Sequence, residues 1–443
     1  MGRGSWAFGA VMLITATGGS AVAQVAAPPS GIGSPGGGRP VRTFAVTVQA
    51  LVEHDSNLTR QSEASAILSQ LTPSDTIYAP TVNVNFVMPV GRQAIFLNGS
   101  GSYLFHQTNT QLNNERVNIA GGGSLSLGPC GAVLRGGYAR GRNELTAPGA
   151  GQTGAVSDGA TGSLLPTTSN LESTIRNIET VEDVSLGLSC SRSSGIGING
   201  QVAQQWTSNS EVISGSGSYR ATSASVGISY QRPAFGSLSL AGIYGRTIYG
   251  GQLAPQLVPR GFETTGANLS FSRQLGGRIQ AQATAGYTRA HQLSPPPIPI
   301  GVIGNPFADF SGFTYTAGAS FRATRNLTAR ATFQRQISPT LLSGSSYEVL
   351  TGYGLGVQYT LGTHITVDVR GDRQQSRTNG AILTNAAQSL TDSRVNDLSA
   401  SVSYRFNRRL SVQLSGTRET RTADNTRFAY SNDRVALTLS SNF

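Results

Sequence analysis

Along most of the chain, apolar and polar residues take turns. In "GIGINGQVAQQW", Ile196, Ile198 and Val202 share one parity, and Asn199, Gln201 and Gln205 the other. "RIQAQATAGYTR" sets Ile279, Ala281, Ala283, Ala285 and Tyr287 against Gln280, Gln282 and Thr284. "NLTARATFQRQ" and "RLSVQLSGTRE" repeat the pattern. A period of two over such lengths marks strands with one apolar and one wet face. The chain then reads as about 18 strands, each long enough to cross a bilayer when tilted. They run from 42–53 and 76–88 at the start to 409–422 and 427–443 at the end.

The connections alternate in length. Val90-Gly91-Arg92, Pro129-Cys130, Gly276 and Asn407-Arg408 are short; 54–75, 144–172, 250–260, 292–309 and 377–392 are long. Outer-membrane barrels show this asymmetry, with tight periplasmic turns and longer external loops. The expected fold is all-β: a transmembrane antiparallel up-and-down β-barrel over residues 42–443, whose even strand count places both chain ends in the periplasm. A sandwich would not need strands this long. A solenoid should repeat in sequence, and this chain does not.

The first residues change the picture from fold to address. Arg3, the apolar stretch Trp6 to Ala16 and the small-residue site Ala21-Val22-Ala23 form a signal peptide over residues 1–23. No Cys follows the apolar stretch, so a lipid anchor is not expected. Residues 24–41 are rich in Pro and Gly and read as a periplasmic lead, too short for a plug domain. With 55 Gly, 12% charged and 38% hydrophobic residues, the chain is too polar for a large ordinary core and too poorly charged for disorder. The expected location is the bacterial outer membrane.

The net charge is +11, all of it from Arg. The arginines are scattered singly through strands, so nucleic acid is not an expected partner. Alternation points Arg135, Arg322, Arg330, Arg370 and Arg405 inward, with Asp368 and Asp397. Two readings stay open: salt bridges that stiffen the wall, or a lining that selects anionic or hydroxyl-rich solutes. Loop 144–172 has the position of an inward-folding constriction loop but lacks an acidic cluster, so a surface loop fits it equally well.

Catalytic signals are sparse. Glu53, His54 and Asp55 stand together, and His106 and His291 fall near other outer strand ends. No metal-ligand spacing and no nucleophile elbow accompany them. No metal, cofactor or enzymatic activity is expected. The two cysteines, Cys130 and Cys190, fall at the periplasmic ends of consecutive strands, 131–143 and 173–190, and are expected to form a disulfide.

"RVALTLSSNF" carries Val435, Leu437, Leu439 and Phe443 on one parity. It resembles the C-terminal signal read by the barrel-assembly machinery. "VTVQALVEHDSNLTRQ" (47–61), with Asp55-Ser56-Asn57, resembles the opening strand of the β-barrel porins of the second type, often encoded beside exopolysaccharide genes. The resemblance implies an outer-membrane barrel and a role in polysaccharide export, and it transfers no catalytic residue. The expected function is a passive channel for a polysaccharide or for polar or anionic solutes, with outer-membrane lipid around it. A structural or surface-interaction barrel with a blocked lumen is the alternative, and an outer-membrane hydrolase the third reading.

Overall fold

The structure, a computed structural model, describes residues 42–60, 71–142, 178–190, 195–210, 218–232, 234–250, 260–294, 309–339, 347–378, 392–424, 426 and 429–443. The expected signal peptide, the Pro/Gly-rich lead and loop 144–172 lie outside the described residues.

The chain forms β1 (Thr43–Asp55), β2 (Asp75–Val90), β3 (Gln93–His106), β4 (Asn114–Leu127), β5 (Cys130–Arg142) and β6 (Ile178–Cys190). These are followed by β7 (Gly195–Asn209), β8 (Ser218–Arg232), β9 (Gly236–Gly250), β10 (Gly261–Leu275), β11 (Ile279–Leu293) and β12 (Phe310–Arg322). The last six are β13 (Leu327–Pro339), β14 (Tyr347–Leu361), β15 (Ile365–Thr378), β16 (Asp392–Arg405), β17 (Leu410–Ala423) and β18 (Tyr430–Asn442). Each pairs antiparallel with its sequence neighbours, and β1 pairs with β18, closing an 18-stranded barrel. Closure leaves no unpaired edge. Tight turns crowd one end of the barrel, here the turn end. The long connections leave from the other, the loop end.

Parity decides what each side chain meets. Phe44, Val48 and Val52 of β1 are exposed on the outside, as are Leu355, Val357 and Tyr359 of β14 and Val435, Leu437 and Leu439 of β18. An apolar band that runs around a closed barrel is the surface such barrels present to lipid. Two aromatic girdles border it. Phe44, Tyr230, Phe235, Phe321, Tyr359, Tyr404 and Phe443 ring the turn end, and Tyr103, Phe105, Trp206, Tyr287, Phe313, Phe333 and Tyr353 ring the loop end. Aromatic rings favour both margins of a hydrocarbon layer because their edges tolerate water. Leu355 lies between the girdles and is 65% exposed. Leu355→Arg is expected to destabilise the barrel by about 2–4 kcal/mol, as charges at a bilayer midplane do. Urea titration in lipid vesicles checks this, with Leu355→Ile as the neutral control.

The two cysteines join β5 to β6 at the turn end: Cys130 and Cys190 are register partners and form a disulfide. They clamp the hairpin at the end opposite its loop.

The seam between β1 and β18 is reinforced by the segment that leaves β1. The N–H of Asn57 donates to Asp55 Oδ1 at 2.8 Å and to Asn432 Oδ1 at 2.9 Å. Ser56 Oγ accepts from the N–H of Asp433 at 2.7 Å. The Asp-Ser-Asn motif is thus a stitch across the closing strand pair, made by the local turn that Asp and Asn side chains favour. The segment then bends over β18, and Arg60 reaches Glu419 of β17 at 3.6 Å.

Candidate functional site: the barrel lumen

The inward parity of β7 to β11 bears no charged residue. Its wet surface is made of Asn199 and Gln201 on β7, Ser223 and Ser225 on β8, Ser239 on β9, Asn268 and Ser270 on β10, and Gln280, Gln282 and Thr284 on β11. Some of these groups satisfy one another. Ser270 Oγ and Thr284 Oγ1 are 2.9 Å apart, and Thr288 and Thr314 hydroxyls 3.0 Å. Towards the loop end this wall turns apolar: Tyr219, Ala221, Tyr249, Phe262 and Ala290 pack into a buried cluster. The rest of the arc offers hydroxyl and amide groups, which exchange bonds with water and with polar solutes alike.

The other arc carries the charge. On β13 to β18 the inward positions include Arg330, Glu348, Asp368, Arg370, Asp372, Asp397, Glu419, Arg421 and Arg434. Arg330 donates to Gln358 Oε1 at 2.8 Å and is exposed to the lumen. Arg370 donates to Asp372 Oδ1 at 2.9 Å. Glu419 is shared by three partners: Arg60, Arg434 at 3.3 Å and the Tyr430 hydroxyl. These side chains are nearly buried, with Arg60 5% and Glu419 7% exposed. On β5 and β6 a second, isolated pair faces inward, Arg135 and Asp183. Asp183 lies across Gly137, where any side chain would sit 2.2 Å from its Oδ1. The glycine makes the room that this carboxylate occupies.

Of the residues expected in the lumen, Arg135, Arg330, Asp368, Arg370 and Asp397 fall on the inward parity within the wall. Arg322 and Arg405 share that parity but end β12 and β16 at the turn end, where both are exposed. Arg370 sits beside its partner Asp372, whereas Arg330 has only a neutral one.

The sequence triplet Glu53, His54 and Asp55 is taken apart by the wall. Glu53 and Asp55 face inward, and His54 faces outward, 3.3 Å from the Thr76 hydroxyl. Neighbours in a strand point to opposite faces, so adjacency in sequence here means separation in space. His106 is buried 3.4 Å from Asp75. Asp75 also accepts the backbone N–H groups of Thr76, Thr108 and Asn109, which makes it an organiser of the mouth. His291 contacts Asp309 at 2.8 Å on the exposed rim. Among the described residues no three His, Cys, Asp or Glu side chains converge as a metal would require.

At the mouth, Leu58, Leu71 and Leu112 pack together, with Leu58 also against Ile77, Ala79 and Leu104. The segments 56–60 and 71–74 and the turn at Thr110–Leu112 therefore fold onto the inner wall of β1 to β3. Parity carries no signal for Arg60, which comes from a loop. Glu419 and Arg434 have the inward parity, but only the register between β17 and β18 and the path of the loop bring them together.

Several solved structures are similar to this chain over most of their length. Pseudomonas aeruginosa OccK2 (OpdF) is 11% identical, over 91% of this chain and 98% of that one, with a TM-score of 0.47. Pseudomonas aeruginosa OpdK is 12% identical, over 90% of this chain and 99% of that one, with a TM-score of 0.45. A BenF-like porin from Pseudomonas fluorescens Pf-5 is 12% identical, over 91% of this chain and 99% of that one, with a TM-score of 0.46. No curated protein matches the chain. The match that bears on family is one of sequence, and it lies beyond the Asp55-Ser56-Asn57 opening. Residues 260–443 match the family described as Putative beta-barrel porin 2, a stretch that spans β10 to β18.

Proposed function

We propose that the protein is a passive channel of the bacterial outer membrane for hydroxyl-rich polar solutes, with the turn end in the periplasm and the loop end outside. The observation that carries this reading is the uncharged arc of β7 to β11. Asn, Gln, Ser and Thr side chains replace a solute's water contacts one for one, at little cost in free energy. The barrel is wide enough for a wet interior: small barrels are filled by side chains, and larger ones leave a channel. Arg330, exposed in the lumen without a carboxylate partner, biases passage towards anions. Saccharides, neutral or acidic, fit both features, and an exported polysaccharide is one such substrate. Insertion through the barrel-assembly machinery, with Phe443 and the apolar parity before it as the signal, belongs to the same reading.

Reconstituted in a planar bilayer, the purified protein is expected to give stepwise conductance that neutral oligosaccharides reduce. Charge reversal at Arg330 and Arg370 together is expected to move the reversal potential towards cation preference. A conducting protein whose selectivity ignores both substitutions would leave these arginines as wall braces. The inward-folded mouth segments favour a second reading, a blocked barrel that acts through its loops. The absence of any conductance from folded, heat-modifiable protein would select it.

A further inference from the structure

From the loop-end aromatic girdle upward, the outward face of the barrel changes from apolar to basic. The change is densest on three adjacent strands: Arg373 and Arg377 on β15, Arg394 on β16 and Arg418 on β17 all face outward and are exposed. The same faces below them are apolar, with Val369, Leu398 and Leu414. Two of the four cations are matched. Arg377 lies 3.4 Å from Asp392, and Arg418 lies 3.9 Å from Asp433. Asp392 is further occupied by the Gln375 amide, at 2.9 and 3.0 Å.

Arg373 and Arg394 are not matched in this way. Their register partners are neutral: Tyr353 and Asn396 for Arg373, Gln375 and Thr422 for Arg394. The two stand diagonally across the β15–β16 pair, a spacing of about 7–8 Å in an antiparallel sheet. The connection between β15 and β16 brings no remedy, because residues 379–391 contain no Asp or Glu. Two guanidinium groups at this spacing repel each other unless an anion lies between them. Above a hydrocarbon band, the groups a barrel wall meets are lipid headgroups.

We propose that Arg373 and Arg394 clasp a phosphate of an anionic lipid headgroup in the outer leaflet, with Arg377 and Arg418 flanking the site. A guanidinium binds phosphate oxygens through paired, charge-assisted hydrogen bonds. The girdle ring Tyr353, beside Arg373 in the register, lies at the level where the acyl chains begin. The site is on the outside of the wall and so does not depend on what passes through the lumen. It does rest on the outer-membrane reading above.

The test titrates the detergent-solubilised barrel with a bisphosphorylated lipid A, read by native mass spectrometry. Its partners are Arg373→Gln/Arg394→Gln and a control, Arg232→Gln/Arg273→Gln, which removes outward arginines at the turn end. Retained heat-modifiable migration shows that each variant is folded. The first double variant is expected to bind the lipid at least about tenfold more weakly, from the loss of two charge-assisted contacts, and the control to bind as the parent does. Inorganic phosphate at the same concentration is expected neither to bind nor to compete. Equal binding by all three proteins, or an equal loss in the control, would overturn the proposal. Full competition by inorganic phosphate would assign the pair to free anions instead. Membrane fractionation of the expressing cells separates the two levels: a barrel absent from the outer membrane refutes the location, while one present there with unaltered lipid binding refutes only the clasp.

Discussion

Replacing Glu419 with alanine is expected to cost about 3–5 kcal/mol of barrel stability, the penalty for removing one partner from a buried charge cluster. The carboxylate stands between Arg60 and Arg434 and accepts the Tyr430 hydroxyl. Without it, two nearly buried guanidinium groups lose one of their counter-charges, with Asp55 left to face both, in a place that water hardly reaches. Glu419→Gln keeps an acceptor for Tyr430 and removes only the charge, so it should fall between the parent and the alanine variant. The damage should also be local. Arg60 belongs to the segment that stitches β1 to β18, so the mouth should open to proteases near residues 56–60 before the wall unfolds. Urea titration in vesicles, with limited proteolysis from the loop side, measures both. An alanine variant as stable as the parent and equally resistant would show that the cluster does not hold the seam.

The disulfide should have an effect of the same order. Cys130 and Cys190 close a loop of sequence separation 60, for which the chain-entropy relation gives about 4 kcal/mol. The double serine variant is expected to lose up to this amount in urea, and the parent to lose it on reduction. Thiol titration of unfolded, unreduced protein is expected to find no free thiol. Two per chain would mean that the bond does not form, whatever the register of the hairpin.

The barrel was legible in the sequence because a strand in a membrane wall has the simplest of patterns. Each position meets either lipid or water, and Ile279 to Tyr287 against Gln280 to Thr284 states that choice residue by residue. The same alternation placed Arg135, Arg330 and Arg370 inward before any register was known. It could not show that Arg370 sits beside Asp372 while Arg330 has only Gln358, because side-chain partners depend on rotamer and register. Nor could it reach Arg60, since a loop has no period. Glu53, His54 and Asp55 show the opposite failure. They read as a cluster until parity is applied, and parity sends His54 to the other side of the wall. The Asp55-Ser56-Asn57 motif was visible as a resemblance, but its work, a stitch from Asn57 to Asn432, needs the far end of the chain to be in place.

That far end sets a condition on how the molecule comes to exist. Every other strand pair joins neighbours in sequence, yet β1 meets β18, with Thr47 opposite Asn442 and Asp55 opposite Arg434. Hairpins can form early because they close short loops. The seam must close the longest loop in the molecule, and long closures come late. Until then the sheet has two open edges, each a template for a strand of another molecule. The yield of barrels is thus a race. On one side is an intramolecular closure with a fixed effective concentration, and on the other an association that grows with the amount of unfinished chain. Dilution, or a catalyst that holds the two edges together, should favour the barrel without changing any bond in it.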